Sequence, residues 1–173
     1  MIGWLQRRRA RAQAGKAWHQ AILAKVREPG LYARGVVADT FDGRFHMLTL
    51  VCALVLRQLR EDGPEGFALA DRVYREVFSG LDHAMREEGV SDSSIARKMR
   101  ARGEAFFGLA RAIDTAMAPS AGAAELAEVL IRNHVTDHAC AKELAEWLRA
   151  LAAGLAVLPQ QARFAGQPGW MNV

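Results

Sequence analysis

The sequence predicts an all-α protein, a single helical bundle of about five to six helices headed by a basic amino-terminal helix. Three observations carry this expectation. Alanine, leucine and arginine dominate the 173 residues while β-branched residues and the 5 prolines are sparse, a composition that favours helices over strands. Apolar residues recur every three or four positions through most of the chain, the spacing of a helix face. Between the recurring runs stand Pro29-Gly30, Gly63-Pro64 and the Pro-Ser-Ala-Gly stretch at 119–122, all of them turn signals. A chain of this length buries roughly two thirds of the surface its unfolded form exposes, so one core suffices without staples.

The first helix is expected over 8–28, from Ala17, Trp18, Ile22 and Val26 at helical spacing, with Pro29-Gly30 ending it. Residues 1–28 hold seven Lys/Arg against Glu28 alone, for a charge of +6, whereas the rest of the chain carries −2. Such an arm attracts phosphate, on lipid headgroups or on RNA. Trp4 and Leu5 stand before Arg7, Arg8, Arg9 and Arg11, a pattern suited to peripheral contact with an anionic membrane, each cation contributing ~1 kcal/mol.

An irregular segment, LYARGVVA, leads to Asp39 or Thr40 as N-cap of the second helix, with Asp42 in its first turn against the positive end of the dipole. From Phe41 the residues Phe45, Leu48, Cys52, Val55 and Leu59 form one stripe, and Leu50, Val51, Leu54 and Leu56 fill the remaining circumference. A helix apolar all round belongs at the centre of a bundle. Its longest uncharged run, Phe45 to Leu56, has 12 residues, short of the ~20 needed to cross a bilayer.

A third helix is expected over 66–88, with Phe67, Ala70, Tyr74, Val77, Leu81 and Met85 on one face, Gly89 as its stop, and Ser91 or Asp92 capping the next. The fourth, over 92–117, turns Ile95, Met99, Phe106, Leu109, Ile113 and Met117 inward and carries Arg97, Lys98, Arg100 and Arg102 in its first half. Two more helices follow at 123–134 and 137–157, and the chain from Pro159 is expected to be irregular. The organisation is thus a basic amphipathic helix (1–28), a helical core (29–118), a helical pair (119–158) and a tail (159–173).

Several function classes recede. Cys52 and Cys140 lie far apart in helical stretches and indicate a reducing compartment with no disulfide framework. Charges come too early in the first residues for a secretory signal, which argues against secretion. His134, His138 and Cys140 are the one cluster with metal-like spacing, but Thr136-Asp137 reads as an N-cap between the histidines, so the ligands diverge and no metal is expected. Asp39 and Asp42 with Arg44 have neither a nucleophile nor a phosphate loop beside them, and capping plus an internal ion pair is the stronger reading. No catalytic residue and no cofactor is expected.

The series Leu31-Tyr32, then Asp39-Thr40-Phe41-Asp42-Gly43-Arg44-Phe45, then Val55-Leu56-Arg57-Gln58-Leu59 resembles the ubiquinol-cytochrome c chaperone family. The resemblance continues through Val77-Phe78, Asp82, Met85-Arg86-Glu87, Gly89-Val90, Asp92, Ile95, Lys98-Met99 and Ala105-Phe106-Phe107-Gly108, and spans roughly residues 17–118, leaving the segment after 119 beyond it. It implies a non-enzymatic assembly factor for ubiquinol-cytochrome c reductase, respiratory complex III. Mitochondrial members pair with a second assembly factor, sit near the ribosome exit and hold newly made cytochrome b. The Ala/Arg/Gly-rich composition looks like a bacterial member, which would meet its client at the inner face of the cytoplasmic membrane; a eukaryotic one would act on the matrix side.

The chain departs from the family pattern at Ala38, His46 and Phe107, where proline, an acidic residue and tyrosine are usual, so no role needing a charge at 46 or a hydroxyl at 107 carries over. Cytochrome b or another complex III subunit is the implied partner. A groove with an apolar floor and charged rim suits it, drawing on Tyr32, Phe41 and Phe107 for the floor and Arg44, Arg97, Lys98 and Arg102 for the rim. Phe45 and Phe106 fall on inward stripes and are expected in the core. The alternative is a basic helical module for RNA or the ribosome, although no specific nucleic acid is expected; a small-molecule enzyme ranks last.

Overall fold

A computed structural model describes residues 2–87 and 92–169. The helices are α1 (Ile2–Val26), α2 (Gly30–Ala33), α3 (Phe41–Arg60), α4 (Gly63–Glu87), α5 (Asp92–Ala116), α6 (Ala123–Arg132), α7 (Ala141–Ala156) and α8 (Gln160–Ala165). Every regular element among the described residues is helical, and six helices have ten residues or more. The all-α bundle is therefore as expected.

α3 is the axis: it packs against α1, α4, α5 and α7. From Met47 to Leu56 every residue is buried, and each large apolar side chain so buried contributes roughly 1.5–3 kcal/mol. The one hydroxyl in this run, on Thr49, donates to the Phe45 carbonyl at 2.9 Å. Where α3 turns into α4 the backbones approach so closely that a Cβ on Gly66 would fall 2.0 Å from the Leu59 carbonyl oxygen. α1 and α4 run in the same direction, since Arg11 meets Glu65, Gly15 meets Arg72 and His19 meets Gly80.

Several boundaries differ from expectation. α1 begins six residues earlier, because Arg, Gln, Leu and Ala sustain a helix there with no apolar partner face; Gly3 to Ala10 are all exposed. Lys25, counted above with the charges of the arm, is buried, with Nζ 3.0 Å from Glu28 and 5.9 Å from the Trp147 ring centroid. LYARGVVA contains the turn α2, whose Tyr32 hydroxyl donates to the Val26 carbonyl at 2.8 Å. α7 starts at 141, not 137, because the Asp137 carboxylate accepts from Cys140 N at 2.9 Å and forms a separate turn.

The tail from Pro159 is not irregular: it forms α8, ended by Gly166 at φ 68. Arg163 of α8 forms two hydrogen bonds with Asp62, at 2.6 and 2.8 Å, and its carbonyl accepts from Trp18 Nε1 at 2.8 Å. α8 thereby ties α1 to the α3–α4 corner. Gly89, Ser91 and the Asp92 side chain, expected to stop α4 and cap α5, lie outside the described residues.

Candidate functional site: the start of α3 and the α3–α5 groove

At the start of α3 the cap is Thr40, in extended conformation, whose Oγ1 accepts from Gly43 N at 3.1 Å. Asp39 serves differently, accepting from Arg44 Nε at 2.6 Å while the Arg44 guanidinium lies 5.2 Å from the Tyr32 ring centroid. The hydrogen bond to Asp39 holds Arg44 above its ordinary range, and burial pushes the Tyr32 phenol up. Asp42 accepts from Arg102 of α5 at 2.7 Å, and Arg102 is 4.9 Å from the Phe41 ring centroid and 4.7 Å from that of Phe45. A Cβ on Gly43 would fall 2.0 Å from the Ala38 carbonyl oxygen.

DTFDGRF is therefore a joint in which each polar side chain, Asp39, Thr40, Asp42 and Arg44, has an internal partner. Arg44 and Arg102, expected on a partner-binding rim, are committed to Asp39 and Asp42 and to aromatic faces. His46, half-buried behind the joint, is held below its ordinary value chiefly by burial, against the opposing pull of Asp42. Phe45 and Phe106 are core residues, as expected.

His134 stands beyond the end of α6 with φ 54, and His138 is exposed in the following turn, so the two histidines share no helix face. No group of three His, Cys, Asp or Glu among the described residues is placed to hold a metal ion. Burial pushes the Cys52 thiol up to about 12, leaving it protonated and inert.

Between α3 and α5 lies an open groove of about 470 Å³. Its floor is Ala53 and Leu56 of α3 with Phe106, Phe107 and Ala110 of α5. Phe107 is 54% exposed and leads an aromatic cluster, its ring 5.4 Å from Tyr74 and 5.6 Å from Phe106. At Gly108 the space where a Cβ would stand is open, with nothing within 4 Å of it. Arg57, Arg60 and Arg111 form the rim against Asp114, with Arg57 Nε 3.3 Å from that carboxylate.

Of the expected partner-binding residues, only Phe107 lines this groove; Tyr32, Phe41, Arg44 and Arg102 gather at the joint, and Arg97 and Lys98 are exposed in the first half of α5. Sequence reasoning missed Arg57, Arg60 and Arg111. Arg57 and Arg60 stand three to four residues from Ala53 and Leu56, a spacing that already placed all four on one stripe. In the arm, Trp4 is 57% exposed and Leu5 48%.

The chain is an all-α domain with an accessible aromatic groove between α3 and α5 and with Asp39 and Asp42 paired to Arg44 and Arg102. The chain belongs to the ubiquinol-cytochrome C chaperone family, whose family model matches residues 34–170. It is accordingly a chaperone for assembly of complex III. The match differs from the expected span of 17–118 at both ends: it begins at 34 and takes in α6, α7 and α8. The crystal structure of the Cbp3 homolog from Brucella abortus superposes with a TM-score of 0.83 at 29% sequence identity, covering 99% of this chain and 97% of that one. No curated protein sequence matches the chain. No helix among the described residues is long and apolar enough to cross a membrane.

Proposed function

We propose that this chaperone holds newly made cytochrome b, without catalysing a reaction, by receiving an apolar segment of it in the α3–α5 groove. The observation that carries the proposal is the exposed Phe107 at the head of that groove, between an apolar floor and three rim arginines. A membrane-protein client not yet packed into its complex exposes helix surfaces whose burial in water is favourable, and a groove of this kind covers them reversibly. The rim arginines meet carboxylates and backbone carbonyls at the edges of such a segment and fix its register.

Arg97 and Lys98 extend the same helix with exposed charge and serve a flanking part of the client, a second assembly factor or the ribosome. The joint at Tyr32, Phe41, Arg44 and Arg102 acts indirectly by fixing α5 against α3, which sets the width of the groove. Trp4, Arg7, Arg8, Arg9 and Arg11 supply peripheral contact with the anionic inner face of the cytoplasmic membrane, where the client is inserted.

The test is recovery of cytochrome b with tagged protein from membranes of a deletion strain. Phe107→Asp puts a charge on the floor and is expected to reduce recovery roughly tenfold or more, the scale of losing a central aromatic contact, with helicity unchanged because the side chain is exposed. Undiminished recovery by a folded Phe107→Asp protein removes the groove from the account.

A further inference from the structure

The amino-terminal helix is only partly accounted for by the bundle. Because α1 and α4 run in the same direction with Arg11 opposite Glu65, the residues before Arg11 project past the beginning of α4, and Gly3 to Ala10 are all exposed. Trp4, Arg8 and Arg11 share one face of α1 by their four- and three-residue spacing. Arg8 and Arg11 of that face meet Arg72 and Arg75 of α4 across an open groove of about 310 Å³, over a floor kept low by Ala12 and Ala68 and with Asp71 also in its lining.

Four guanidinium groups from two helices therefore converge on one groove. Three have a carboxylate partner: Arg11 with Glu65 at 2.5 Å, Arg75 with Asp71 at 3.0 Å, and Arg72 with Glu76. Arg8 instead lies 5.6 Å from the Trp4 ring centroid and has no carboxylate partner among the described residues. The Arg11–Glu65 and Arg75–Asp71 pairs are solvent-exposed, weak, and yield readily to a phosphate, which accepts from guanidinium forks in bidentate geometry, whereas Arg72–Glu76 is part-buried.

We infer that the α1–α4 groove seats the phosphate of an anionic lipid headgroup, with Trp4 and Leu5 entering the bilayer interface beside it. This rests on the membrane-contact reading above and adds to it the two arginines of α4, which turn a diffuse basic arm into a contact of fixed orientation. The exposed leucine next to the tryptophan favours lipid over RNA: an interface buries both side chains, whereas a nucleic acid stacks on the indole alone.

The test is co-sedimentation of the full chain with vesicles of phosphatidylcholine mixed with phosphatidylglycerol. Arg8→Gln with Arg75→Gln is the informative pair, since both side chains are exposed; Arg72 is spared because its stem packs on Gly15. Loss of charge alone is worth about fivefold per cation near an anionic surface, roughly 25-fold for a pair, and the lost fork contacts are expected to take the Arg8/Arg75 pair beyond that. Arg8→Lys with Arg75→Lys keeps the charge but not the fork, and is expected to restore binding only in part.

Full recovery by the lysine pair overturns the phosphate seat and leaves long-range attraction by the arm. So does an equal loss from Arg7→Gln with Arg9→Gln, which do not line the groove. Failure of the unaltered protein to sediment, or a stronger capture by ribosomal RNA at the same salt, overturns the membrane reading as a whole. Cytochrome b recovery in detergent separates all of these from the client proposal, since it is expected to be unchanged in the Arg8/Arg75 variants.

Discussion

Asp62→Ala is the sharpest probe of how the bundle is closed. The Asp62 side chain is 6% exposed and that of its partner Arg163 10%. The variant removes both hydrogen bonds and leaves Arg163 a buried cation with only the Leu158 carbonyl to accept from it. Charge-assisted hydrogen bonds contribute ~1.5–3 kcal/mol each, and stripping one partner from a buried ion pair costs about 3–5 kcal/mol. We expect a loss of about 3–4 kcal/mol in equilibrium urea unfolding, followed by tryptophan fluorescence, to which Trp18, fully buried and bonded to the Arg163 carbonyl, contributes. The double variant Asp62→Ala, Arg163→Met retains the packing of the stem without a stranded charge, and should return to within ~1 kcal/mol of the unaltered protein. If Asp62→Ala costs less than ~1 kcal/mol and the double variant costs more, the pair is not what holds α8 and α1 to the α3–α4 corner.

Other outcomes test separate parts of the structure. Gly43→Ala drives a methyl group to 2.0 Å from the Ala38 carbonyl oxygen, so the first turn of α3 must shift; we expect roughly 2–4 kcal/mol of destabilisation by urea unfolding, against ~1 kcal/mol for Thr40→Ala, which removes only the cap. His19 and His46 are both held below 6.5, chiefly by burial, so the unfolded chain binds their protons more readily than the folded one. The stability they contribute is full above pH 6.5 and is lost as pH falls below it; a urea midpoint that drops less steeply in His19→Gln, His46→Gln than in the unaltered protein, between about pH 7 and pH 5, is the expected signature. With its thiol raised to about 12, Cys52 should resist a thiol reagent in the native Cys140→Ser protein and react on unfolding.

The parts of the fold governed by neighbours in sequence were legible in it. The start of α3 was read correctly because its cap and its first-turn acid lie within the helix or one residue of it, and its central place followed from an apolar circumference. α8 was not legible: its anchor is Asp62, about a hundred positions earlier, and a short Gln- and Ala-containing stretch gives no local signal. The same reason explains Arg102, which reads as one of four cations open to a partner until α5 lies beside α3 and brings Asp42, Phe41 and Phe45 under it.

The candidate groove was half legible. Phe107 was visible as an aromatic beside an inward stripe, but Arg57, Arg60 and Arg111 become a rim only when the second halves of α3 and α5 converge. Likewise Arg72 and Arg75 of α4 come to face a groove only when α1 lies along that helix.

The central claim is that the α3–α5 groove is the surface that touches the client. A photo-reactive residue placed at Ala110, on the floor of that groove, and at Glu146, on the exposed side of α7, tests it in cells making complex III. Covalent capture of cytochrome b from position 110 and none from 146 is the expected result. Capture from 146 alone, or equally from both, would contradict the account.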